Sequence, residues 1–85
     1  LESDMTEFLT LLALYYGCDA TATERYMSQR EVVQCVSYYH GVKAHFVEDE
    51  TGLDRAERNL EGFLRFKSWE DENEEIVAQL KAQLS

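Results

Sequence analysis

Near the start of each of five apolar runs at helical spacing, a Ser, Thr or Asp is followed three residues later by Glu or Asp. At that separation the two side chains can satisfy backbone amides left free at a helix start. The recurrence divides the chain into helices. Asp4 with Glu7 starts the first, which carries Phe8, Leu9, Leu11, Leu12 and Tyr15 and stops at Gly17. Thr21 with Glu24 starts a short helix ending near Met27. Ser28 with Glu31 starts the next, with Val32, Val33, Val36 and Tyr39 at helical spacing and Gly41 as terminator. Asp54 with Glu57 starts another, with Leu53, Ala56, Leu60, Phe63 and Leu64 on one face. Ser68 with Asp71 starts the last, whose stripe is Trp69, Ile76, Val77, Leu80 and Leu84.

Proline is absent, which suits uninterrupted helices. Val42 to Val47 fits both an alternating and a helical pattern. No other segment alternates, so a strand there would lack a partner, and the stretch is expected to be helical or irregular. Glu48 to Gly52 reads as an exposed loop. The expected fold is all-α: a small irregular bundle of four main helices plus one short helix, in a single domain over residues 1–85. Residues 1–4, ahead of Met5, read as a cloning remnant or a disordered lead.

Charge narrows the function. Seventeen acidic residues face eight Lys and Arg, a net charge of −9 that repels phosphate backbones, so nucleic acid is not an expected partner. A helix-turn-helix reading of Thr21 to Val42 fails on the same ground, because its second helix offers Arg30 alone as a strong cation. No apolar run approaches the ~18 residues of a membrane span, so no membrane partner and a cytoplasmic location are expected. Two cysteines make no disulfide framework, and Cys18 and Cys35 read as reduced thiols.

Catalysis finds little footing. Cys18, Cys35, His40 and His45 are the right residue types for zinc, but their spacing lacks the close pairs of familiar sites. A cysteine nucleophile with a histidine base would lack an oxyanion loop. The reading is therefore non-enzymatic, with no metal and no cofactor. The run Glu70-Asp71-Glu72 with Glu74 and Glu75 is a solvated helix face or a surface for a basic protein.

The aromatic residues point to contacts. Adjacent tyrosines at 15/16 and 38/39 diverge by about 100° on a helix, so both of a pair cannot enter one core. Tyr16, Tyr26, Tyr38 and Tyr39 with Arg30 form one candidate protein-binding set. Phe66, flanked by Arg65, Lys67 and Trp69, is a second candidate on a basic-aromatic spot.

The string Leu11-Leu12-Ala13-Leu14-Tyr15-Tyr16-Gly17, then Met27-Ser28-Gln29-Arg30-Glu31-Val32-Val33 and Tyr38-Tyr39, resembles the tail assembly chaperones of long-tailed bacteriophages. The resemblance covers about residues 8–40. It implies a non-enzymatic protein that binds a tape-measure or tail-tube subunit before assembly, alone or as an oligomer. An alternative reading, from charge alone, is an acidic inhibitor or antitoxin-like protein that blocks the basic nucleic-acid-binding surface of a partner.

Overall fold

The computed structural model describes the backbone of residues 2–83 and the side chains of 5–83. Among these residues it contains four helices and no strand: α1 (Glu2–Glu24), α2 (Gln29–His45), α3 (Arg55–Glu72) and α4 (Glu74–Ala82). The all-α class holds. The separate short helix does not form, because α1 runs straight through Gly17 to Glu24. Thr21 is a helix interior residue whose hydroxyl donates to the Gly17 carbonyl at 2.9 Å, the back-bond open to any helical threonine. The helical backbone of residues 2–4 makes Asp4 likewise an interior position. Leu84 lies outside the described residues.

Two of the five cap spacings do close helix starts. Ser28 accepts from the Glu31 amide at 3.2 Å while Glu31 accepts from the Ser28 amide at 2.9 Å. Asp54 and Glu57 make the same reciprocal pair at 2.8 and 3.0 Å. Each such cap stabilises its helix by about 1 kcal/mol. Ser68 and Asp71 start no helix, since α3 continues past both. The break falls at Asn73, whose side-chain amide donates to the Trp69 carbonyl at 2.8 Å. Val42 to His45 belongs to α2, and Phe46 and Val47 fall in the turn after it.

Gly41 ends nothing either; it lets two helices approach. A β-carbon there would lie 2.9 Å from a Leu11 methyl of α1. The core lies beside that contact. Phe8, Leu12 and Tyr16, four residues apart on one stripe of α1, are buried with Val42 of α2 and Phe66 of α3. Phe8 meets Trp69 and Phe46 edge-on at 5.2 and 5.3 Å between centroids, the arrangement aromatic quadrupoles favour. Val77 and Leu80 of α4 pack against the cluster's edge.

On α3 the expected face is wrong. Gly62 and Phe66 turn inward, whereas Leu60 is 60% exposed and Phe63 and Leu64 are partly so. Counting apolar side chains favoured 60, 63 and 64. Packing instead follows the residue without a side chain, because Gly62 is where α3 can come closest to α2. Arginines from α3 then fix the connecting loop. Arg58 donates to the Val47 and Glu50 carbonyls at 2.7 and 2.8 Å, and Arg65 to the Phe46 carbonyl at 3.1 Å and to Glu50 and Glu61.

Candidate functional site

The longest dimension of the molecule is 40 Å, and α1 alone is about 34 Å long at 1.5 Å per residue. The core occupies only part of that length. From Gly17 to Gly41 no residue is buried, so the far half of the α1–α2 hairpin stands clear of α3 and α4.

Three devices hold this arm in shape. A disulfide joins Cys18 to Cys35, with 5.8 Å between their α-carbons. At the tip, Arg25 grips Glu31 through two hydrogen bonds of 2.6 and 3.1 Å and also donates to the Tyr26 carbonyl. The Ser28 cap completes the turn. The Arg25 hydrogen bond, helped by the Ser28 amide, holds the Glu31 carboxyl down at about 2. The expectation of two reduced thiols is therefore overturned. The pairing is symmetric about the turn: Cys18 lies six residues before the end of α1, and Cys35 six after the start of α2. That symmetry was hidden by reading Gly17 as a helix end. With both sulfurs bonded to each other, neither can act as a thiolate ligand or nucleophile in this form.

The arm carries apolar side chains without cover. Tyr26 is fully exposed although its carbonyl is tethered, and Val33 is 65% exposed. Val32 and Val36 are about half exposed on neighbouring turns of α2, and Leu14 on α1 is similarly open. Beside the disulfide, Leu14, Met27 and Tyr38 line a shallow groove of about 340 Å³. Arg30 is exposed next to Val33 in a second shallow hollow.

The candidate contact residues thus separate. Tyr26, Arg30 and Tyr38 share the arm. Tyr39 sits at its root, stacked on Tyr15 at 5.1 Å and beneath the Lys43 ammonium at 4.3 Å. Tyr16 and Phe66 leave the contact set, being 3% and 1% exposed. Tyr16 turns its ring into the core and donates its hydroxyl to Glu70 at 2.5 Å. Burial, then that bond to a carboxylate, pushes the Tyr16 phenol well above its ordinary range. The basic-aromatic spot around Phe66 dissolves as well, because Arg65 is engaged by Glu50 and Glu61 and Lys67 by Glu70.

No family model, curated protein or solved structure matches this chain. What the surface can do thus rests on its own chemistry. Three carboxylates and two arginines lie between Gly17 and Gly41, a net charge of −1 against −9 for the whole chain. The arm is close to neutral and apolar, and the acidic density lies elsewhere. Asp71, Glu72, Glu74 and Glu75 are exposed around the α3–α4 break. Among the described residues no group of three or more His, Cys, Asp or Glu is placed to hold a metal ion. No described helix is long and apolar enough to cross a membrane.

Proposed function

We propose that this chain is a non-enzymatic protein-binding module whose contact surface is the disulfide-stapled arm of the α1–α2 hairpin. The observation that carries the reading is a 25-residue stretch, Gly17 to Gly41, with no buried residue and with Tyr26, Val32, Val33 and Val36 open to water. Exposed β-branched and aromatic residues held on a rigid frame lose little entropy when a partner covers them. The near-neutral charge of the arm selects an apolar partner face over a basic one. Its occupant in this reading is an amphipathic helical segment of another protein, laid along the hairpin. The resemblance to tail assembly chaperones lies on these same two helices. It gives the surface a client, a helical segment of a phage tail structural protein held before assembly.

The acidic-inhibitor reading has one observation behind it, the four exposed carboxylates at Asp71, Glu72, Glu74 and Glu75. The two readings part on a single titration. A zero-net-charge amphipathic helical peptide should bind the wild-type chain, bind Val33→Glu at least tenfold more weakly, and show little salt dependence. Binding that survives Val33→Glu but disappears when the four carboxylates are neutralised would transfer the function to the acidic face. Light scattering on the same samples identifies a further occupant. A salt-insensitive dimer abolished by Val33→Glu would put a second copy of this chain on the arm.

A further inference from the structure

At the opposite end of α2 lies a cleft of contrary character. His40 and Lys43 on α2 face Arg55, Arg58 and Asn59 on α3 across about 640 Å³, a volume typical of small-molecule sites. Three of the chain's eight Lys and Arg residues line it, and no carboxylate does, on a chain of net charge −9. Chance placement on so acidic a surface would put carboxylates there. The nearby acids are turned to other work. Asp54 and Glu57 cap each other's amides, and Glu50 holds Arg65.

The cations differ in their freedom. Arg58 is committed to the loop carbonyls. Lys43 is buried with its ammonium on Asn59 Oδ1 at 2.5 Å and over the Tyr39 ring, so one of its three donors is used and no carboxylate neutralises it. Burial lowers the Lys43 pKa, as expected for an ammonium short of a counter-charge. Among the described residues the side chains of Arg55 and His40 have no hydrogen bond or ion pair. Ala44, Val47 and Ala56 supply an apolar floor between them.

We propose that this cleft binds a small organic anion, an acid group on a short apolar body. The acid group meets Arg55, His40 and Lys43, and the body lies on the alanine and valine floor. A charge-assisted contact from the Arg55 guanidinium, which no carboxylate among the described residues engages, supplies much of the affinity. The inference stands apart from the hairpin reading, because Tyr26, Val32, Val33 and Val36, on which that reading rests, do not line the cleft.

The test is a nuclear magnetic resonance titration of the full chain with hexanoate, hexyl phosphate, neutral hexanol and inorganic phosphate. Saturable shifts centred on residues 40–47 and 55–59 with hexanoate or hexyl phosphate are expected. The tighter of the two identifies the acid group as carboxylate or phosphate. Arg55→Gln, at an exposed position without a partner, should weaken that binding by about five- to tenfold and leave the melting temperature unchanged. The proposal is overturned if neither anion saturates, or if hexanol or inorganic phosphate binds as tightly. Unchanged affinity in Arg55→Gln would overturn it too.

Discussion

Gly62 of α3 lies so close to Lys43 of α2 that a β-carbon on it would sit 2.6 Å from the Lys43 carbonyl oxygen. Backbone cannot step aside as a side-chain tip can. Gly62→Ala should therefore destabilise the fold by about 1–3 kcal/mol, although alanine gains about 1 kcal/mol of helix propensity. Gly41→Ala meets only the end of the Leu11 side chain, which can shift, so it should be near neutral. Urea unfolding of the two variants checks the contrast, and equal costs would refute it.

The corrected face of α3 makes a second contrast. Phe66→Ala should cost about 3–5 kcal/mol, as for a buried aromatic, whereas Leu60→Ala should cost under about 1 kcal/mol. Had the apolar count on α3 been the right guide, the order would be reversed. Thermal melts of both variants decide it.

Closing a loop of 17 residues, the Cys18–Cys35 bond should stabilise the fold by about 3 kcal/mol by restricting the unfolded chain. Reduction, or replacement of both cysteines by serine, should lower the melting temperature. Because the arm has no buried residue, hydrogen exchange should rise most between residues 17 and 41 and least around Leu12 and Val42. Uniform loss of protection would count against an arm that depends on its own staple.

Acid should loosen two places. Burial opposes ionisation of Glu70, yet hydrogen bonds from Lys67 and Tyr16 and the charges of Lys67 and Lys81 win, and its carboxyl titrates below the ordinary 4.5. A depressed folded value means that the contribution is present above pH 4.5 and disappears as pH falls through the folded value. Glu31 behaves likewise between about 4.5 and 2, loosening the hairpin tip. Tyr16 has the opposite sign. Its raised value gives a contribution present below pH 10 and lost as pH rises above it. Melts across pH should show Glu70→Gln flattening the acid limb. Tyr16→Phe should cost about 1–2 kcal/mol at neutral pH and flatten the alkaline limb.

The all-α class and two of the helix starts were legible, because Ser28/Glu31 and Asp54/Glu57 sit beside loops where amides are free. Thr21 carries the same spacing inside a helix, where its hydroxyl finds the Gly17 carbonyl instead. Spacing alone cannot tell these cases apart. Gly17 and Gly41 misled for a related reason: both sit inside helices, and at Gly41 the missing side chain serves close approach to Leu11 and not helix termination. The divergence of neighbouring tyrosines correctly forbade burying both members of a pair, but not which one: Tyr16 went in and Tyr15 stayed at the edge. Nothing local joins His40 and Lys43 to Arg55 and Arg58. They share a cleft only because Gly62 draws α3 onto α2.

The packing of α4 against α1 has a consequence for how the chain is made. Lys81 lies over the Tyr16 ring at 4.9 Å, and Val77 and Leu80 cover the cluster that α1 begins. As the polypeptide leaves the ribosome, the hairpin and its two cysteines emerge early and can pair from neighbouring contacts alone. The interior cannot seal until residues 74–82 have been synthesised. For that interval the Tyr16 edge of the cluster faces water on an otherwise finished hairpin, and the nascent protein carries there an apolar surface that only α4 covers.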